Sequence, residues 1–305
     1  MNCTPRKNKF WHLFGPFLLY WGIEWAAAVI AALVMLALSM PEMMQSVAWK
    51  DAMTNEEIAS AAMQMQTAML ETAAHYQVQM LAAAALCTIP VMAMLFQKDR
   101  KLEQVLHVPV NKKAPLQKYV WTVILGIMVC IGGNVLIVMT NLAFVSEGYK
   151  NVSSVFYTPS FPVQMICLGI IIPISEELIF RGILFKRCRE LMGFLPAAAG
   201  ISFLFGFTHG NLVQLFYAVG LGMLLAYAYE KYGSLKAAVL LHITANITSL
   251  ILTETGVLTW MCSAFIRLAV SVVACAFFGA AAFVMIQRID EKPEGVEDPK
   301  KIGMY

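Results

Sequence analysis

Long apolar runs broken by short polar clusters dominate the chain. A membrane-crossing helix needs about 20 mostly apolar residues. Eight stretches approach that length: 14–40, 78–97, 119–145, 162–185, 194–209, 212–229, 235–253 and 262–287. The fifth and sixth are short and separated only by Gly210-Asn211, so they read as a hairpin that does not cross fully. The pattern predicts an all-α polytopic transmembrane bundle of about eight helices, with any active site in the bundle core. The first apolar run follows Arg6, Lys7 and Lys9 and exceeds the roughly 7–15 residues of a signal-peptide core, so it reads as a retained helix ending before Pro41.

Between the first two spans, 41–77 reads as an external loop. Thr54-Asn55-Glu56-Glu57 is a capping-box pattern opening a Met- and Ala-rich helix within it. The stretch from Asp290 is polar and reads as a disordered tail. The chain divides into 1–160 (three N-terminal spans and the loop 41–77), a core at 161–255, a last span at 256–289 and a tail at 290–305.

Composition agrees with the pattern. Of 305 residues, 59% are hydrophobic and 13% charged, against about 25% charged in soluble domains. A net charge of +3 gives no electrostatic footprint for nucleic acid. The seven cysteines form no CxxC pair and read as small buried hydrophobes.

Lysine and arginine set the orientation. They cluster before the first span, at 98–118, at 186–189, at Lys231 and Lys236, and after Arg288. The alternate loops hold almost none. In an eight-pass arrangement every cluster falls on one side, which predicts cytoplasmic termini in the plasma membrane.

Three polar constellations interrupt the apolar runs. Glu176, Glu177 and Arg181 lie in Ile170–Arg181. An ionisable group at bilayer depth costs roughly 2.5–3.5 kcal/mol and marks a functional site by default. Glu177 and Arg181 are four apart and share a helix face, whereas Glu176 is rotated by about 100°. A buried Glu177–Arg181 pair can be purely structural. It leaves Glu176 uncompensated. Pro173 removes a helix hydrogen bond just before the pair.

Phe205 and His209 close the fifth segment, and a histidine there, taken alone, is an interfacial residue. His242 and Asn246 are four apart on the seventh, and alone would be an interhelical hydrogen-bond clamp. The adjacent pair Glu56-Glu57, in a polar helix start, shows that two glutamates by themselves carry no weight. Glu24 and Arg267 are read as structural charges that pair with each other, or with Arg267 reaching the surface. Trp11, Trp21, Trp25, Tyr119, Trp121 and Trp260 read as belt or lipid-facing residues.

EExxxR (Glu176, Glu177, Arg181), FxxxH (Phe205, His209) and HxxxN (His242, Asn246), in this order on successive apolar segments, resemble the CPBP family. These are the CAAX-processing and bacteriocin-processing intramembrane proteases, also called the ABI family. The likeness covers roughly 160–255. It implies that Glu176, helped by His209, activates a water. It implies that His242 and Asn246 stabilise the oxyanion, and that Glu177 and Arg181 hold the site, with Phe205 supporting it. Members of the family are often labelled metalloproteases. The reading here requires no cofactor, with zinc on Glu176, His209 and His242 as the alternative. The expected partners are membrane lipid and a peptide or membrane-protein substrate, with no nucleic acid. Rival readings are a non-catalytic scaffold or bacteriocin-immunity protein of the same fold and, lower, a proton-coupled transporter; no second copy of either motif supports the internal repeat usual in transporters.

Depth raises one difficulty. At 1.5 Å per residue, Glu176 lies ~15 Å and His242 ~10 Å from the basic side, but His209 lies ~22 Å from Phe194. The sequence therefore predicts a tilted fifth segment or a covered Gly210-Asn211 turn.

Overall fold

The computed structural model describes residues 9–46, 54–107 and 113–289, all helices and short connections with no strand among them. The basic residues Arg6, Lys7 and Lys112, and the tail from Asp290, lie outside the described residues. The helices are α1 (Lys9–Ser46), α2 (Asn55–His75), α3 (Gln77–Val105), α4 (Val120–Met139), α5 (Glu147–Phe156), α6 (Phe161–Arg189), α7 (Phe194–Phe207), α8 (Leu212–Tyr232), α9 (Leu235–Glu254), α10 (Val257–Cys262) and α11 (Phe265–Gln287). A single turn, Leu142–Val145, precedes α5.

Seven of these are long and apolar enough to cross a membrane: α1, α3, α4 with its leading turn, α6, α8, α9 and α11. The chain is an integral, multi-pass membrane protein. The eighth expected span, α7, has 14 residues and reaches only about 21 Å, short of a ~30 Å hydrocarbon core. It forms a close hairpin with α8. Asn211 caps α8 by accepting from the Gln214 N–H at 2.9 Å. The Gly210-Asn211 turn abuts α5, where a Cβ on Gly148 would lie 3.3 Å from Asn211 Cβ.

One expectation for the N-terminal third is corrected. The first helix continues through Pro41 to Ser46. A membrane helix tolerates proline where neighbouring groups take over the freed carbonyl. Within 41–77 the Met- and Ala-rich helix forms as α2, Asn55–His75. The capping box forms as the sequence predicts: Thr54 N–H donates to Glu57 Oε2 at 2.8 Å and Glu57 N–H to Thr54 Oγ1 at 3.3 Å. Helix α2 meets α3 at the single residue Tyr76 and packs along α1.

Helix α6 is the axis of the molecule. It packs against α1, α3, α7, α8 and α9. One apolar core joins α1, α3, α6 and α7 around Phe180, Ile183, Phe185 and Phe205. A second joins α4, α8, α9 and α11 around Leu225, Tyr232, Leu241 and Ile286. The outer face carries exposed Trp11, Trp21, Trp25 and Trp260, as expected of lipid-facing residues, whereas Tyr119 and Trp121 pack on the second core. Among the described cysteines Cys130, Cys167 and Cys188 are buried and free; Cys87 is exposed, contrary to expectation.

Polar contacts tie one end of the bundle together. Arg187 holds Asp99 at 2.8 Å, Lys186 holds Glu103 at 2.8 Å, and Arg189 holds Glu230 at 2.6 Å. Tyr232 donates to the Lys118 carbonyl at 2.7 Å, and Lys231 to that of Gln287 at 2.9 Å. The described basic clusters at 98–118, 186–189 and 231 therefore share one end, as the eight-segment pattern requires.

Candidate active site

Helix α6 changes its winding where the charges sit. Over Cys167–Ile171 and Leu178–Phe185 it widens to π-type turns, a feature frequent at functional sites. In the first of these the Ile172 N–H bonds the Cys167 carbonyl, five residues back. The next residue in that register is Pro173, which has no N–H to give the Leu168 carbonyl. Asn246 of α9 supplies the missing donor: its Nδ2 reaches Leu168 O at 2.9 Å. A buried carbonyl needs such a partner. The proline that opens the helix and the asparagine four residues past His242 thus form one local arrangement.

Glu177 and Arg181 are fully buried, and Arg181 Nη1 donates to Glu177 Oε1 at 2.8 Å. The guanidinium also lies over the Phe205 ring, 4.5 Å from its centroid, a cation–π contact. The same Glu177 oxygen takes the Nδ1 of His242 at 2.9 Å. A carboxylate on one ring nitrogen fixes the imidazole's orientation and the tautomer it presents on the other side. That other nitrogen, Nε2, faces Glu176 Oε2 at 3.7 Å.

His242 therefore lies between the two glutamates. It is 3% exposed, whereas the Glu176 side chain keeps 18% of its surface, so Glu176 is the reachable member. At 3.7 Å, Nε2 and Oε2 are too far apart for a good direct hydrogen bond. A water about 2.8 Å from each would complete a triangle on that base.

His209 stands next to this group without joining it. Its Nδ1 bonds the Phe205 carbonyl at 2.9 Å. The Phe205 ring is edge-on to both imidazoles, 4.9 Å from His209 and 5.8 Å from His242. The structure thus gathers Glu176, Glu177, Arg181, Phe205 and His242 closely, leaves His209 at the edge, and turns one Asn246 N–H onto the α6 backbone. The amide keeps its second N–H.

Among the described residues no group of three or more His, Cys, Asp or Glu side chains is placed to hold a metal ion. His209 and His242 bond through Nδ1, to Phe205 O and Glu177, contacts that leave each Nε2 open.

Sequence reading missed part of the surroundings. Ser175 Oγ lies 2.6 Å from Thr88 Oγ1 of α3, both fully buried. Tyr20 of α1 is buried beside Phe180. Glu24 does not pair with Arg267. That arginine stacks over Trp260 at 4.9 Å. The overlooked signal is the four-residue spacing of Tyr20 and Glu24, which sets both on one face of α1.

Fold and site together define a multi-pass membrane protein with a buried Glu–His–Arg cluster between helices. Residues 158–248 match the family described as Type II CAAX prenyl endopeptidase Rce1-like, so the resemblance carried by the three motifs holds over α6 to α9. Over 85 residues the chain is also 31% identical to a Bacillus subtilis (strain 168) protein named "Putative membrane peptidase YdiL". That alignment covers 28% of this chain and 35% of the relative, so the chain spans about a third of the length of the curated relative it matches. No solved structure matches.

Proposed function

We propose that the protein is an intramembrane endopeptidase, similar to CAAX prenyl proteases, that hydrolyses a peptide bond with a water held between Glu176 and His242. The observation that carries this reading is the placement of His242, held on one nitrogen by Glu177 and facing Glu176 with the other.

The chemistry follows from those contacts. Water oxygen bonds to the peptide carbonyl carbon while Glu176 takes its proton. The carbonyl electrons move to oxygen. The free N–H of Asn246 and the His242 imidazole are the groups set to stabilise that oxyanion. When the intermediate collapses, the C–N bond breaks and the proton held by Glu176 passes to the amine nitrogen. Glu177 and Arg181 keep the imidazole in place. Phe205 packs between the imidazoles of His209 and His242. No step runs through a metal.

The substrate class proposed is a peptide or membrane-protein segment reaching the site from the lipid, with a prenylated C-terminal tail as the type the family likeness suggests. The location proposed is the plasma membrane, with both termini cytoplasmic, since the basic end of the bundle is retained on the inner side.

The test compares protein C-termini in cells carrying the wild type, Glu176→Ala or His242→Ala. The expected result is a set of cleaved C-termini that both variants lose while remaining folded in the membrane. Retention of those C-termini by both variants overturns the reading and favours a non-catalytic scaffold.

A further inference from the structure

Helix α3 lies outside the matched segment 158–248, yet it touches the piece of α6 that carries the glutamates. The two helices run side by side in the same direction. Val78 and Ala82 of α3 pack with Cys167 of α6 at one end of the seam, and Asp99 holds Arg187 at the other. Between them, a Cβ on Gly182 would stand 3.1 Å from the Phe96 ring. Midway along this apolar seam one contact is polar. Thr88 Oγ1 and Ser175 Oγ are 2.6 Å apart, and both side chains are fully buried. Thr88 gives its single hydroxyl proton to the Ala85 carbonyl at 2.9 Å. The Ser175 hydroxyl is therefore the donor and Thr88 the acceptor.

Ser175 stands immediately before Glu176, in a stretch whose backbone ladder is interrupted. Ile172–Glu177 is six residues of α-helix with widened turns on both sides. Its Pro173 gives no N–H to the ladder. Side-chain ties to neighbouring helices are then what hold the rotation of this stretch about its axis. Two such ties flank Glu176. Ser175 is held by Thr88 of α3, and Glu177 by His242 of α9 at 2.9 Å. At about 100° per residue, Glu176 projects between them. A turn of the stretch that broke the Ser175 tie would swing the Glu176 carboxylate off its 3.7 Å approach to His242 Nε2.

We propose that Thr88 is a positioning residue for Glu176: by accepting the Ser175 hydroxyl it fixes the rotation of Ile172–Glu177, and with it the aim of the glutamate at His242. This rests on Glu176 being the base of the hydrolysis. A merely structural pair would matter only because a buried hydroxyl needs a partner, so removing both hydroxyls together would change little. A positioning tie is lost whichever hydroxyl goes, and stays lost when both go.

The test uses full-length protein in phosphatidylcholine vesicles, as Thr88→Val, Ser175→Ala and the double variant. The readouts are the unfolding midpoint, hydrolysis of a fluorogenic farnesylated CAAX peptide, and the NMR signal of the His242 ring nitrogens in protein labelled with heavy nitrogen at histidine. That signal is identified by its loss in His242→Gln. Thr88→Val strands the Ser175 hydroxyl and should lower the midpoint, and the double variant should regain it. In all of them kcat should fall by about tenfold or more with KM nearly unchanged, because a misplaced reacting group acts on turnover. The His242 signal of the double variant should move in the direction that Glu176→Gln moves it. Thr88→Ser keeps the acceptor and should retain the wild-type kcat and signal. Wild-type kcat and signal in the double variant overturn the proposal and leave the pair a packing contact. Ser175→Ala keeps Thr88 bonded to Ala85, so it decides the same question if the double variant does not fold. Hydrolysis by Glu176→Gln would remove the base assignment, and the His242 signal would still decide whether Thr88 aims Glu176.

Discussion

Glu177 makes the two contacts that hold the site, one to Arg181 and one to His242, both through the same oxygen. Removing one partner of a buried charge pair leaves the other uncompensated, at about 3–5 kcal/mol. Arg181→Met should therefore destabilise the protein by that order in a detergent unfolding series, and activity should fall with it. Glu177→Gln keeps a hydrogen-bonding side chain on His242, so its loss should appear more in turnover than in unfolding. Glu176→Ala should do the opposite of Arg181→Met: little change in unfolding, and a rate about 10²–10⁴-fold lower, the contribution of a general base. At this scale much of the site was legible. The i, i+4 spacings set Glu177 on Arg181 and turned Glu176 away. What the spacings do not contain is which side chains meet across helices. The sharing of Glu177 by His242 depends on how α9 packs on α6, and no periodicity encodes that.

Elements are fitted to each other through small residues and one missing N–H. An added Cβ at Gly206 would lie 2.7 Å from the Leu215 carbonyl oxygen, so Gly206→Ala must separate α7 from α8. A cost of about 1–3 kcal/mol is expected, typical of overpacking, read as a lowered unfolding midpoint. The link between Pro173 and Asn246 gives a sharper expectation. Asn246→Ala strands the Leu168 carbonyl and removes an oxyanion donor. Stability should fall by about 1–3 kcal/mol and the rate by about 10²–10³-fold. Adding Pro173→Ala restores an N–H in register with Leu168, so the double variant should recover stability and not rate. If both recover together, Asn246 acts only as a backbone clamp. Helix existence was readable from apolar length throughout. The widened turns of α6 were not, because they depend on Pro173 and on packing against the five neighbouring helices. The passage of α1 through Pro41 was misread because a rule for proline in water does not carry over to a packed membrane helix.

Across the whole molecule, the sidedness of the charges organises the bundle. Basic side chains from α6 grip acidic partners on α3 and α8 at one end, while the capping box of α2 marks the other. With that basic end inside, an impermeant maleimide should label Lys101→Cys only in inside-out vesicles and Glu56→Cys only in right-side-out cells, in a background lacking the native cysteines. The reverse pattern would invert the orientation, and labelling of both from one side would break the crossing count. The short α7 fits this plan as the arm of a hairpin that brings Phe205 back against His242 of α9. The water between Glu176 and His242 is the claim on which the enzymatic account stands, and single-turnover hydrolysis of the farnesylated peptide in heavy-oxygen water tests it most directly. One heavy oxygen should enter the new C-terminal carboxylate in the first turnover, and Glu176→Gln should abolish the product. An unlabelled first product, with the label on an enzyme carboxyl group, would contradict direct attack by water.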